Sequence, residues 1–218
     1  MSEQGKKLAQ CVRAISAYGK EIDALRAVLN GLLLQAIDNP DMPYARHGDP
    51  VPAARMDDSE WIYTDVAFSI PLWYIRRGPH TTDMYLGYQI SLSGDGIGFS
   101  GNDAPLLHVF LWDEPADLEE NWMGYPLDAK SEPTLVHNRL IIWPRANRTQ
   151  WTFSIDLLSL DSSQALLDSI VTPAIALASL EAEDGILQIL PDNLQGLVVY
   201  KNEDGLIAVD GERESEGI

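Results

Sequence analysis

The chain has 218 residues, of which 15 are basic and 33 acidic, so its formal net charge at pH 7 is -18. This length allows one large domain or a smaller domain with an appended element. Hydrophobic residues make up 45% and charged residues 22%, which is typical of a folded protein and argues against disorder. Cys11 is the single cysteine, which excludes an intramolecular disulfide and a multi-cysteine metal site.

The sequence also indicates a compartment. The N-terminal residues lack the apolar core and cleavage site of a signal peptide. No uninterrupted apolar run approaches the roughly 18 residues that a membrane span needs. A lone cysteine fits a reducing environment. We therefore expect a cytoplasmic protein with no membrane association.

The charge is unevenly distributed along the chain. Residues 1–37 carry five basic and three acidic side chains, a balance of +2, so the remainder carries -20. Such a body repels nucleic acid phosphates over a Debye length of about 8 Å at physiological salt. We therefore expect no direct nucleic acid binding.

Residues 1–39 are predicted to form a long N-terminal helix that ends at Asn39-Pro40. Apolar side chains recur with alternating spacings of three and four residues, which is the heptad pattern of a coiled coil. These positions are Leu8, Cys11, Ile15, Tyr18, Ile22, Leu25, Leu29, Leu32 and Ala36. Cys11 fits this seam as a small hydrophobic residue.

Two arrangements of this helix compete. It either packs on the sheet of its own chain or pairs with a second helix. A helix of this length measures about 50 Å at 1.5 Å per residue, which is longer than an average sheet, so part of it should project. We favour self-association as a homodimer. The predicted oligomerisation residues are Leu8, Ile15, Tyr18, Ile22, Leu25, Leu29 and Leu32.

The rest of the chain is predicted to be an α+β domain over residues 59–210, after a connector at 40–58. About five strands are expected, at 61–70, 84–92, 106–112, 135–143 and 151–157. Since no helices intervene, they should form an antiparallel, mostly meander sheet. Pro71 should end the first strand or place it at an edge.

The C-terminal part is predicted to contain a helix and a hairpin. Asp161 should cap the helix, with Gln164 completing a capping box, and Pro173 should kink or restart it. Two short strands at about 197–201 and 205–209 form the hairpin. Residues 211–218 are expected to be a disordered tail.

No motif indicates catalysis, a cofactor or a metal. The glycines of Gly94–Gly98 lack the following helix and the lysine of a phosphate-binding loop. His108 and His137 fall on predicted strands and would make an acid–base or metal site if they were sheet neighbours. Single buried or exposed histidines are the more ordinary interpretation.

Two charged clusters are predicted to bind a protein partner, with the aromatic residues beside them as anchors. The first is an acidic run bracketed by tryptophans, and the second is a turn rich in arginine, whose planar guanidinium suits carboxylates. Their residues are Trp112, Asp113, Glu114, Asp117, Glu119, Glu120, Trp122, Arg145 and Arg148. Ordinary solvated loops would have the same composition.

Three functions remain open at this point. The favoured one is a non-catalytic interaction or regulatory protein that masks a partner protein, such as a basic one, by analogy with chaperones, immunity proteins and antitoxins. An alternative is a nucleic-acid mimic that inhibits a DNA- or RNA-binding protein, although the acidic residues cluster in loops and not in rows. The third is an enzyme with a carboxylate or histidine site.

Overall fold

A computed structural model describes residues 3–75, 84–92, 105–119, 134–143, 150–179, 189–194, 197–201 and 207–211. The fold is α+β, with a long N-terminal helix, an antiparallel sheet and C-terminal helical segments. The helical segments are α1 (Glu3–Ile37), a 3-10 turn (Leu157–Ser159), α2 (Ser163–Leu166), a π-helical turn (Leu167–Val171) and α3 (Thr172–Ser179). The strands are β1 (Tyr44–Arg46), β2 (Val51–Met56), β3 (Tyr63–Tyr74), β4 (Met84–Ser91), β5 (Leu106–Trp112), β6 (Thr134–Val136), β7 (Leu140–Trp143), β8 (Gln150–Asp156), β9 (Leu197–Lys201) and β10 (Ile207–Gly211).

The main sheet has eight strands, more than the five expected. Its order is β1-β3-β4-β5-β8-β7-β6, with β2 also paired to β3, and the pairings are antiparallel. Consecutive strands are neighbours in β3-β4-β5 and again in β6-β7-β8, so the meander expectation is confirmed. The hairpin of β9 and β10 forms a separate two-stranded sheet, and its second strand lies two residues later than the expected 205–209, so that it includes Gly211 of the expected tail.

The larger core lies on one face of this sheet, which we call the helix face. Alternate residues of each strand point to it, including Ile70, Leu86, Val109 and Phe153, and all four are fully buried. The C-terminal part of α1 and the helical segments after β8 supply the other half of this core. The opposite face, the second face, carries a smaller cluster that includes Phe110, Trp112 and Trp143.

Residues 40–58, expected as a connector, contribute strands β1 and β2. Both pair with β3, which is long enough at twelve residues to hold them end to end. The sequence of β2 lacks a clear alternation of apolar and polar residues, because this strand is exposed or half-buried along its whole length. Pro52 fits this position, since proline is tolerated where an edge strand needs no donor.

Pro71 does not end β3, which continues to Tyr74. The carbonyl of Pro71 accepts a hydrogen bond of 2.9 Å from the backbone N–H of His47. Within a strand, the N–H and C=O of one residue point to the same side, so the missing donor of Pro71 faces the segment between β1 and β2. No ladder bond is lost there, which explains why the strand passes through the proline.

The expected strand at 135–143 is a hairpin of β6 and β7. His137 and Asn138 have left-handed φ angles of 52° and 55°, as the two central residues of a type I′ turn require. Consequently His137 lies exposed in a turn, separated from β5 by β7 and β8. His137 and His108 are therefore not neighbours in the sheet, which agrees with the interpretation of each as a single histidine.

The predicted C-terminal helix is present but is capped one residue later than expected. Ser162, and not Asp161, is the N-cap, and its hydroxyl accepts from the N–H of Ala165 at 3.1 Å. The helix is interrupted by the π-helical turn Leu167–Val171 before Pro173. A proline clashes with the carbonyl four residues earlier, and a π-helical turn relieves that conflict.

Candidate functional site

The N-terminal half of α1 presents an apolar stripe to solvent. Leu8, Ile15 and Tyr18 are 67%, 47% and 68% exposed, and Val12 is exposed beside them. Exposed apolar residues scattered singly are normal in proteins, but these follow one another along one helix face at spacings of three and four. We call residues 3–21 the projecting half of α1, and these apolar positions its exposed stripe.

The same stripe continues into the C-terminal half, where the chain's own body covers it. Leu29 and Leu33 are fully buried, and Ile22 and Leu25 pack partly buried against the core that contains them. The seven predicted oligomerisation residues therefore fall into two groups. Leu8, Ile15 and Tyr18 are exposed, whereas Ile22, Leu25, Leu29 and Leu32 contact the chain's own body.

Docking of this C-terminal half involves a polar contact as well as apolar packing. The Tyr88 hydroxyl donates a hydrogen bond of 2.6 Å to Oδ1 of Asn30. Burial raises the pKa of Tyr88 to about 12, an effect that the nearby charge of Arg26 partly opposes. The phenol therefore stays protonated and remains a donor at physiological pH.

The predicted acidic run begins with a residue that is not on the surface. Trp112 is 2% exposed and contacts Trp143 edge-to-face, with ring centroids 5.0 Å apart. Edge-to-face pairs are a favourable aromatic arrangement. The expectation that Trp112 anchors a partner is not met in this structure, because its ring is part of the second-face core.

The acidic residues that follow form a loop with a fixed course, the acidic loop (113–119). The Ala116 N–H donates a hydrogen bond of 2.9 Å to the Ser69 hydroxyl on β3, and the Arg55 guanidinium on β2 donates a hydrogen bond to the Leu118 carbonyl. Ala116 and Leu118 are buried, so the loop is held against the second face. Asp113, Glu114, Asp117 and Glu119 are the exposed members of the acidic run in this loop.

The remaining predicted partner-binding residues lie outside the described part of the chain. They are Glu120, Trp122, Arg145 and Arg148.

The turn between β2 and β3 carries an apolar group that sequence reasoning assigned to a strand. Trp61 is 86% exposed, and Met56, Ile62 and Tyr63 are exposed around it. We call residues 57–62 the hairpin tip. The only available signal was Asp57-Asp58-Ser59-Glu60, a polar run of turn-forming residues directly before the tryptophan.

Asp57 gives the hairpin tip a defined conformation. Its carboxylate accepts hydrogen bonds from the Ser59 hydroxyl and from the backbone N–H groups of Trp61 and Ile62, at 2.7, 2.7 and 2.8 Å. These bonds, with that from Ser59 the strongest influence, lower the pKa of Asp57 to about 2. Glu60 completes the turn with a left-handed φ of 59°. Trp61 is thus displayed on an ordered turn with acidic neighbours.

Polar side chains cross the second face in register. Gln89 on β4 is paired with His108 on β5, which is paired with Ser154 on β8. His108 Nδ1 lies 2.7 Å from the Ser154 hydroxyl, and Gln89 Nε2 donates a hydrogen bond of 2.8 Å to Oδ1 of Asp65. All four are buried, and burial lowers the pKa of His108 to about 3. The imidazole is therefore neutral at physiological pH, and this row contains two buried side-chain hydrogen bonds, one between β5 and β8 and the other between β4 and β3.

The described residues contain no group of three or more His, Cys, Asp or Glu residues placed to hold a metal ion. None of the described helices is long and apolar enough to cross a membrane. Comparison of the chain with protein-family models, curated proteins and solved structures finds no significant match.

Proposed function

We propose that this chain is a non-catalytic interaction or regulatory protein that masks a partner protein and assembles through its N-terminal helix. The observation that carries the proposal is the continuous apolar stripe of α1, which packs against the chain's own core from Ile22 onward and is exposed from Leu8 to Tyr18. Covering a leucine or isoleucine side chain stabilises a complex by roughly 1.5–3 kcal/mol before the costs of association. The exposed Leu8, Ile15 and Tyr18 at helical spacing suit a helix-docking partner.

The charge of the body supports a partner with a basic surface. The acidic loop presents Asp113 and Glu114 from a segment that buried residues hold in place, and the hairpin tip presents Trp61 among Asp58 and Glu60. Rigid aromatic anchors surrounded by charge are typical of binding hot spots. Complementary charge accelerates association and selects partners. Chaperone-, immunity- and antitoxin-like masking are proposed by analogy with this charge and architecture.

Assembly through the helix is tested by removing the exposed stripe. The variant Leu8→Gln, Ile15→Gln, Tyr18→Gln keeps good helix formers at positions that the body does not contact. Leu158→Gln, at a residue 75% exposed in the 3-10 turn, is a matched control for loss of surface apolar area. Sedimentation equilibrium and affinity capture should both show weaker association for the stripe variant alone. If it matches wild type in mass and in captured proteins, assembly through α1 is contradicted.

The basic partner is tested by neutralising the acidic loop. Asp113→Asn with Glu114→Gln should reduce capture of basic proteins and its sensitivity to salt. Asp161→Asn with Asp192→Asn removes the same charge from exposed positions elsewhere and is the control. Equal capture by both variants would contradict a role for the acidic loop, and salt-insensitive capture of acidic proteins would contradict the basic partner itself.

A further inference from the structure

We infer that the exposed stripe binds a second copy of this chain with the two projecting halves antiparallel. This inference rests on the proposed function, since it names the occupant of the same surface. It follows from three features of α1: the stripe positions that the chain's own body covers, the stripe positions that remain exposed, and the charged residues that flank the exposed positions.

The covered part excludes a parallel, in-register pair. Such a pair would place residues 22–37 of the partner against the stripe of residues 22–37, where the chain's own core already packs on Ile22, Leu25, Leu29 and Leu33. An antiparallel pair overlaps only the projecting halves. Each body then lies beyond the N-terminus of the other helix, and both chains use the same surface, as two-fold symmetry requires.

The core positions that the chain's own body leaves uncovered favour one register of the antiparallel pair. Leu8 and Ile15 occupy heptad position a, and Cys11 and Tyr18 occupy position d. In an antiparallel coiled coil each a position faces a d position, so Leu8 faces Tyr18 of the partner subunit and Cys11 faces Ile15 of the partner subunit. This register uses only side chains that are exposed in the single chain. The next register, one heptad further along, would require Ile22 and Leu25, which are already packed against the core.

The flanking charges support the same register. Lys7 and Glu21 occupy equivalent positions beside the core, and the register places Lys7 opposite Glu21 of the partner subunit, twice per dimer. Val12 then lies near its own copy and widens the apolar contact. In a parallel pair, Lys7 would instead face Val12 of the partner subunit.

The wider charge distribution is also complementary. Residues 3–21 carry four basic and two acidic side chains, whereas residues 38–218 carry 10 basic and 30 acidic ones. The antiparallel arrangement brings each basic projecting half toward the acidic body of the other chain. It also separates the two acidic bodies along the helices by more than a Debye length of about 8 Å.

Cysteine crosslinking of the full-length chain tests the orientation. In the antiparallel register the two Cys11 residues are offset by four residues, about 6 Å along the axis, so their Cα atoms exceed the roughly 7 Å that a disulfide spans. Wild type oxidised alone should give no disulfide dimer, and neither should Cys11→Ala/Ile15→Cys alone. A mixture of the two should crosslink, as a heterodimer only. A Cys11–Cys11 disulfide in wild type would overturn the antiparallel arrangement.

A charge swap provides a second test that does not depend on disulfide geometry. Lys7→Glu or Glu21→Lys alone should raise the dimer Kd by roughly tenfold, since two attractive pairs become repulsive. The double variant Lys7→Glu/Glu21→Lys should return to wild-type affinity, whereas Lys6→Glu, at an outer helix position, is the control. Failure of the double variant to restore affinity would overturn the register.

The outcomes separate this inference from the proposed function. A wild-type chain that stays monomeric in sedimentation overturns the second copy as occupant. If the stripe variant then still loses a captured heterologous protein, the interaction function stands. If the stripe variant changes neither mass nor capture, both fail.

Discussion

The side chain of Tyr88, on the central strand β4, donates a hydrogen bond of 2.6 Å to Asn30 on α1. This bond joins the long helix to the sheet at the point where the buried part of the helix stripe meets the core, beside Leu29 and Leu33. It couples the docked half of α1 to the sheet with a directional contact that apolar packing does not supply.

We expect Tyr88→Phe to lower the free energy of unfolding by about 1 kcal/mol, the usual net value of one such bond. A double-mutant cycle with Asn30→Ala should give a coupling energy of the same size, and the cycle cancels the change in helix propensity. Tyr63→Phe, at an exposed tyrosine, is the matched control and should change stability by less than about 0.5 kcal/mol. A coupling energy near zero in urea denaturation would contradict this role.

Gly87 on β4 is required by the close approach of its neighbours. A Cβ atom there would lie 2.5 Å from the Phe110 ring and 2.6 Å from the backbone carbonyl oxygen of Phe68. The carbonyl belongs to the β3–β4 ladder and cannot move alone, so Gly87→Ala should destabilise the protein by roughly 1–3 kcal/mol. Gly31→Ala is the control: nothing lies within 4 Å of its Cβ, and the helix should gain about 1 kcal/mol.

Buried His108 should make the protein sensitive to acid. Its pKa is about 3 in the folded chain against 6.5 for the free side chain, so between these values the unfolded chain binds more protons. Stability from this residue is therefore fully present above about pH 6.5 and declines as pH falls toward 3. The slope approaches about 1.4 kcal/mol per pH unit in that window.

Urea denaturation at several pH values checks this expectation against His108→Gln. The stability difference between wild type and variant should shrink as pH falls from 7 to 4.5, because only wild type has the imidazole to protonate. His47→Gln, which alters an exposed histidine, should retain the wild-type pH dependence. A constant difference for His108→Gln would show that the imidazole is accessible to protons in the folded state.

The hairpin tip should depend on the ionised form of Asp57. Its pKa of about 2 lies below the ordinary 3.8, so the tip is fully stabilised above pH 3.8 and loses this stabilisation as pH falls through 2. In NMR, the Asp57 carboxyl carbon should titrate with a midpoint of about 2. Asp57→Ala should accelerate amide exchange of Trp61 and Ile62 without altering global stability. Asp58→Ala, at the exposed neighbouring residue, should leave exchange unchanged.

Periodicity predicted the parts of the fold that have a single buried face. The expected strands at 61–70, 84–92 and 151–157 include Val66, Ile90, Phe153 and Ile155, all of which lie in the core on the helix side of the sheet. The long helix was also predicted, since its stripe repeats without a break. Local patterns could not show that the stripe changes from buried to exposed near Ile22, because the same apolar residues serve both halves.

Other features were missed because their signals are tertiary. β2 has no buried face of its own and forms only because β3 is long enough to pair with it. The ring of Trp112 is buried because Trp143, on a strand that is distant in sequence, lies against it. Trp61 was predicted to begin a strand. It lies instead in a turn that is held by hydrogen bonds from backbone N–H groups to the Asp57 side chain, and periodicity does not reveal such bonds.

The division of α1 has a consequence for how that helix forms. Starting a helix is unfavourable, because several residues must be fixed for the first hydrogen bond, whereas extending one adds a bond for each residue ordered. The packed residues 22–37 supply that nucleus, and the projecting half grows from it by propagation alone. Fraying should therefore begin at Glu3 and advance inward without unfolding the domain. One helix then contains a packed segment and a projecting segment of lower stability, and covering the exposed stripe would stabilise the projecting one.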